Sequence, residues 1–184
     1  MTELTTDRLL LRNWKEPDRE PYAALNADPA VMEHFPAPQT REQSDALIDR
    51  NRPAIDERGW GLWALEVRET GEFIGFTGLS VPSFEAPFMP AVEIGWRLAK
   101  GAWGNGYASE AARAALAYGF GPAGLDEIVS FTATPNLPSQ RVMQRIGMTR
   151  DEAGDFDHPR IEVGHRLRRH VFYRISRSQW ESTR

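Results

Sequence analysis

The run from Val92 to Glu110 restricts this chain more than any other part of it. An apolar strand ending at Leu98 passes into Lys100-Gly101-Ala102-Trp103-Gly104-Asn105-Gly106 and then into a helix. Ala108, Ala111, Ala112, Ala115 and Leu116 follow at helical spacing, so one face of that helix is almost wholly alanine and can lie close against a sheet. A strand–loop–helix junction exposes unpaired N–H groups and a partial positive charge, which suits a phosphate or pyrophosphate. Glycines let the backbone approach such an anion closely. The loop is not a P-loop, because no Gly-Lys-Ser/Thr follows. Nor is it GxGxxG, because Ser109 stands where the third glycine would fall. Kinase and dinucleotide-dehydrogenase chemistry are therefore not expected.

The rest of the chain supplies the partners for that unit. Thr6-Asp7-Arg8-Leu9-Leu10-Leu11-Arg12 reads as a strand, Pro17 to Ala27 as a helix, and Asp28 to Phe35 as a second short one. Thr40 and Gln43 form a capping-box pattern that opens a helix towards Arg58, with a kink or break predicted at Pro53. Trp63, Leu65 and Val67 alternate as a strand, Thr70-Gly71 turns the chain, and Phe73 to Val81 returns as its hairpin partner. Pro82, Pro87 and Pro90 punctuate a loop before Ala91 to Leu98. Ile128 to Ala133 reads as a strand, Pro138 to Ile146 as a helix stopped by Gly147, and Val171 to Ile175 as a last strand. The fold class is mixed α/β with one central β–loop–α–β crossover.

Composition closes off several chemistries. The 184 residues are 41% hydrophobic and 26% charged, as in ordinary globular proteins. The absence of cysteine removes thiolate nucleophiles, CxxC redox chemistry and zinc–thiolate sites. No apolar run approaches the roughly 18 residues of a membrane span, and the N-terminus lacks a secretory pattern. A cytoplasmic protein with one domain over residues 1–184 is expected, with no membrane and no nucleic-acid partner, as a monomer or homodimer. Net charge is −4, but residues 141–184 hold 10 basic and 6 acidic side chains, nearly all the bases being arginine. That excess fits either solvated ion pairs or an anionic ligand on the C-terminal side. His34, His158, His165 and His170 lack HxxxH or HExxH spacing, so no metal is expected.

Four separated pieces carry a family resemblance: Thr6 to Arg12; Phe73-Ile74-Gly75; Glu93-Ile94-Gly95-Trp96 through Trp103 to Ala111; and Asn136-Leu137-Pro138-Ser139-Gln140-Arg141-Val142-Met143 through Ile146-Gly147-Met148. In this order and spacing the chain resembles the GCN5-related N-acetyltransferase (GNAT) superfamily, and within it the Rim-type (RimJ/RimL-like) branch. The resemblance implies a mostly antiparallel twisted sheet, with a crossover from the fourth strand through a pyrophosphate loop to the third helix. It implies acetyl-coenzyme A as co-substrate, and direct attack of an amine acceptor on the thioester without an acyl-enzyme. One departure is that Gly101 occupies the position where the superfamily loop often has Gln or Arg, which removes one side-chain contact.

The resemblance further implies cofactor contacts from Ile94, Trp96, Leu98, Gly101, Trp103, Gly104, Asn105, Gly106, Tyr107, Ala108, Asn136 and Arg141, with Glu93 and Ser139 catalytic. The residues themselves leave alternatives open. Glu93, an acid among apolar strand neighbours, reads as a general base with a raised pKa, or as a carboxylate paired with an arginine or backbone N–H. Oxyanion donors would be N–H groups near Ile94 to Trp96, freed by a bulge at Gly95. Asn136 could touch the pantetheine arm or only cap a helix. Ser139 could protonate the departing thiolate or only cap the first turn. Arg141 and Arg145 could meet a 3′-phosphate or only solvent, and Trp103 reads better as a packing anchor. His158, in Asp155-Phe156-Asp157-His158-Pro159, is a second candidate base. Glu85, Asp155, Asp157 and Glu162 would make an acidic mouth suited to a cationic amine. A non-catalytic acyl-coenzyme A-binding module is the competing function.

Overall fold

The computed structural model describes residues 2–182. The N-terminal segment is two short strands, β1 (Leu4–Thr5) and β2 (Leu9–Arg12), because Thr6 turns the chain by exchanging hydrogen bonds with Leu9. A 3-10 turn carrying Pro17 leads into α1 (Arg19–Ala27). Residues 28–35 form only turns rather than the expected short helix: Met32 N–H bonds Asp28 C=O, and the prolines at 29, 36 and 38 prevent a longer ladder. The predicted capping box opens α2 (Arg41–Arg58), with Thr40 and Gln43 each bonding the other's backbone. Pro53 does not break this helix. It sits on the solvent side, where water can take the carbonyl it leaves unpaired.

Strands β3 (Leu62–Val67) and β4 (Phe73–Ser80) form the expected hairpin, and β5 (Glu93–Leu98) pairs antiparallel with β4. The loop then feeds α3 (Tyr107–Phe120), β6 (Glu127–Ala133) and α4 (Leu137–Arg145). The C-terminal part is richer than its sequence suggests: β7 (Thr149–Arg150) and β8 (Phe156–Asp157) both pair with β9 (Arg169–Ser176), followed by α5 (Arg177–Ser182). The sheet order is β1-β2-β3-β4-β5-β6-β9-β7, antiparallel except between β5 and β6. The crossover therefore leaves the fifth strand, since β1 had not been separated from β2.

Small side chains let α3 sit tightly on one sheet face. Ala111, Ala112, Ala115 and Leu116 are fully buried, and a Cβ on Gly119 would lie 2.7 Å from Ile128. The opposite face meets α1, where Tyr22 packs edge-on against Trp14 and Phe76. A second apolar cluster, Val129, Phe156 and Phe172 with Phe84, Phe88 and Phe131, fills that face further along.

The N-terminal motif has a physical partner in the α3 motif. Thr6 Oγ1 donates to Glu110 Oε1 at 2.6 Å, and Arg8 reaches Glu110 through its backbone N–H at 3.0 Å and its guanidinium at 2.6 Å. Desolvation pushes the Glu110 pKa up, but the bonds from Thr6 and Arg8 outweigh it and hold the carboxyl below its usual range. A depressed carboxylate contributes stability above its unfolded pKa and loses it as pH falls through the folded value. Glu110→Gln is therefore expected to cost about 1–2 kcal/mol at neutral pH. In urea titrations the gap to the parent protein should close below about pH 4; an equal gap at both pH values would remove the charge from the explanation.

Candidate active site

The sheet opens between β5 and β6. Their parallel ladder is registered only at Glu93–Val129, where Val129 N–H bonds Val92 C=O at 2.9 Å. The Ser130 hydroxyl takes the next inward carbonyl, that of Ile94, also at 2.9 Å. Strand alternation aims the N–H and C=O of Trp96 into the same gap, and among the described residues the β6 ladder offers them no partner. The expected bulge at Gly95 is absent, since β4 and β5 stay in register from Gly75–Leu98 to Ser80–Glu93. Divergence of two strands, not an extra residue, frees the Trp96 main chain.

Below this gap lies the N-terminus of α3. Gly104 and Gly106 have φ of +78° and +79°, and Gly106 ends the loop without a side-chain cap on the helix. A Cβ on Gly101 or Gly104 would meet nothing within 4 Å. Open space, left-handed glycines and uncapped N–H groups together fit a pyrophosphate. The rest of the loop is braced from within: Asn105 Nδ2 donates to the carbonyls of Ala102 and Trp103, both at 3.2 Å. Trp103 donates its indole N–H to Leu98 C=O at 2.9 Å while staying 48% exposed, so it is a packing anchor with one open face. Tyr107 lies under the Arg8 guanidinium, 4.7 Å from the ring centroid.

On the far side of the gap stands the N-terminus of α4. Asn136 is its cap: Oδ1 accepts from Ser139 N–H at 3.2 Å, and Nδ2 donates to Thr132 at 2.8 Å. Ser139 is therefore not the cap. Its Oγ instead accepts from the Trp96 indole N–H at 3.0 Å, across the gap. That bond occupies an acceptor lone pair and leaves the hydroxyl proton free to donate. This contact is not legible in the sequence, because the two residues lie 43 positions apart.

Glu93 sits where β5 and β6 are still joined, with its side chain on the α1 face. No described residue pairs with its carboxylate, so neither the arginine nor the backbone partner is present. Burial pushes its pKa up to about 8. His158 goes the other way, down to about 4, through burial and then the charges of His170, Arg160 and Arg168. Its ring packs 4.6 Å from Phe84 and 5.0 Å from His170. A base that weak holds a proton from an ammonium poorly, which favours Glu93.

Residues 8–149 match the family model described as an acetyltransferase (GNAT) domain. The chain belongs to the GNAT family. It is accordingly an acyltransferase with the mixed α/β GNAT fold. The Bacillus subtilis protein YkkB is 36% identical over 150 residues, covering 80% of this chain and 85% of that protein. The FsC-acetyl coenzyme A-N(2)-transacetylase of Aspergillus fumigatus is 34% identical over 188 residues, covering 96% of this chain and 77% of that one. Among solved structures, a GNAT-family acetyltransferase from Bacillus anthracis superposes with a TM-score of 0.79 at 28% identity, covering 96% of this chain and 99% of that one.

Seen in the GNAT frame, the expected cofactor residues fall into two groups. The Trp96 main chain and the glycines at 101 and 104 face open space, whereas Ile94 and Leu98 have buried side chains and carbonyls already taken. A cleft of about 960 Å³ runs from Gly106 along α3 to α4; Arg145 and Arg113 line it, and Arg141 does not. Of the four acids expected at the mouth, Glu85 and Glu162 are exposed with no ion pair among the described residues, and Asp155 and Asp157 are paired. Asp155 is held bidentate by Arg150 at 2.6 and 2.9 Å, and Asp157 pairs with Arg168 and Arg169, so neither offers free charge to an amine. Among the described residues, no group of three or more His, Asp or Glu is placed to hold a metal ion, and no helix is long and apolar enough to cross a membrane.

Proposed function

We propose that this GNAT protein transfers an acetyl group from acetyl-coenzyme A to a primary amine by direct attack in a ternary complex. The observation that carries the reading is the gap beyond Glu93–Val129, bordered by the unpaired Trp96 main chain, the Ser139 hydroxyl and the uncapped α3. Acetyl-coenzyme A supplies an activated thioester. The N–H groups at the start of α3, with Gly104 and Gly106, hold its pyrophosphate; the Trp96 main chain lines the path of its pantetheine arm, and Arg145 borders the cleft beyond.

The chain's own groups then have separate tasks. Glu93 takes a proton from the acceptor ammonium, which makes the nitrogen lone pair available. Trp96 N–H stabilises the charge that develops on the carbonyl oxygen. As the C–N bond forms and the C–S bond breaks, the Ser139 hydroxyl, steadied by the Trp96 indole, gives its proton to the departing sulfur and is reprotonated, directly or through water, by the second proton the attacking nitrogen sheds. Membership of the Rim-type branch is part of the proposal, supported by the Thr6–Arg8–Glu110 clasp that joins two of its motifs. So is a single domain throughout.

The direct experiment is thiol release from acetyl-coenzyme A with a panel of small amines and peptides. Release that depends on the amine is expected; cofactor binding with no release for any amine would favour a binding module. Ser139→Ala is expected to lower kcat with KM unchanged, since its interaction forms mainly in the transition state. Asn136→Ala should instead lower stability by about 1 kcal/mol, as loss of a cap does. Unchanged turnover in Ser139→Ala would assign the leaving-group proton to water.

A further inference from the structure

The acceptor's chemical class can be read from the face of β5 that Glu93 occupies, granted that Glu93 is the base beside an amine. Alternation places Glu93, Gly95 and Arg97 together on that face, towards α1. A Cβ built on Gly95 would meet one atom within 4 Å, Glu93 Oε1 at 3.8 Å. Its neighbour Gly78 on β4 is different: a Cβ there would collide with the Gly61 carbonyl of the segment entering β3. The surface between Glu93 and Arg97 is left open.

Arg97 closes the far end of this opening, and its surroundings are unusual. The guanidinium donates to Asn26 Oδ1 at 2.7 Å and lies 4.2 Å from the Phe35 ring centroid and 5.6 Å from that of Phe76. A long contact reaches Gln39 at 3.5 Å. None of these groups is an anion, and among the described residues no carboxylate pairs with Arg97. Its Nε is buried without a partner. Arg12, which is fully buried where Arg97 is half-buried, shows what this chain does with a structural arginine: it is bound by both Asp18 and Glu66. Charges withdrawn from water are ordinarily paired, so the missing counter-charge at the half-buried Arg97 points to a ligand. A carboxylate matches the planar fork of a guanidinium.

We propose that Arg97 binds an acidic group of the acceptor, which is therefore an amine carrying a carboxylate on the same molecule, its nitrogen at Glu93 and its acid at Arg97 across Gly95. Four strand residues at about 3.3 Å each separate the two Cα atoms by about 13 Å, so a chain of several atoms joins amine and acid. Two of the four acids expected at the mouth do not oppose such a ligand, because Arg150 pairs with Asp155, and Arg168 and Arg169 pair with Asp157.

The test uses unbranched ω-amino acids of increasing length, each beside its primary amide, which keeps the amine and removes the acid's charge. With acetyl-coenzyme A, kcat/KM for the best acid should exceed that of its amide by about tenfold or more, mainly through KM. Arg97→Gln should collapse that ratio towards one. Where that variant fails to fold, Arg97→Lys keeps the charge without the fork and should shrink the ratio. A wild-type ratio near one, or a ratio that survives both substitutions, overturns the proposal. Calorimetric titration of the same acids and amides into the free chain reads the preference without turnover. A preference for the acid there, with no amine acetylated, would sink the transferase reading and keep the anion site; no preference there overturns the site itself.

Discussion

Glu93→Gln is expected to lower turnover by on the order of 10²–10⁴-fold, the usual contribution of a positioned base. The pH profile makes this specific. With its pKa pushed up to about 8 by burial, Glu93 gains its basic form as pH rises, so kcat/KM of the parent enzyme should climb to about pH 8 and level off. In Glu93→Gln that limb disappears, and the remaining rate follows the amine's own ionisation. Stability should move in the opposite direction. A carboxyl whose folded pKa exceeds its unfolded one binds an extra proton in the folded state, so stability falls as pH rises between about 4 and 8. The glutamine removes that penalty, and Glu93→Gln should melt higher than the parent at pH 8. A variant that loses activity and melts lower would instead make Glu93 a structural carboxylate.

The second large effect belongs to the loop. Gly106→Val forces a β-branched residue to φ +79°, a strain of roughly 1–3 kcal/mol, and should lower the melting temperature as well as coenzyme A affinity. Gly104→Asn separates the two consequences, because asparagine tolerates the left-handed region and the space there is clear of protein within 4 Å. It should fold normally yet bind coenzyme A about tenfold more weakly, a difference of 1.4 kcal/mol in a calorimetric titration. Parent-like affinity in both variants would mean the loop does not hold the phosphates.

What the sequence disclosed divides along physical lines. Local chemistry was readable: the glycines at 104 and 106 demanded an unusual backbone, the alanine face demanded close packing, and Thr40 with Gln43 demanded a helix start. Glu93 stood out because an acid among Val92, Ile94 and Trp96 must either find a partner or carry a raised pKa. Partnerships across the sheet were not readable. Trp96 with Ser139, Glu110 with Thr6 and Arg8, and Asp155 with Arg150 depend on where strands and loops come to rest, which periodicity does not encode. Arg97 went unnoticed for the same reason, since an arginine declares itself only when its surroundings turn out to lack an acid. No bulge forms at Gly95; strand divergence, which the sequence does not reveal, frees the Trp96 main chain instead. Residues 28–35 and the two-residue strands β7 and β8 are too short for a periodic pattern to form.

The single registered pair between β5 and β6 also divides the molecule mechanically. β1 to β5 form one continuous hydrogen-bonded block, and β6 with β7, β8 and β9 forms another, while the seam between them has a short ladder and the Ser130 hydroxyl. Backbone bonds contribute little cooperativity across such a seam, so the halves are coupled chiefly by the side-chain core that spans both, on which α3 packs. Local opening of this kind is read by native-state hydrogen exchange. Amides of the β6–β9 block are expected to exchange as a unit distinct from β2–β5 in the free protein, and the two populations to merge when coenzyme A is added, if it lies in the gap as an extra strand would.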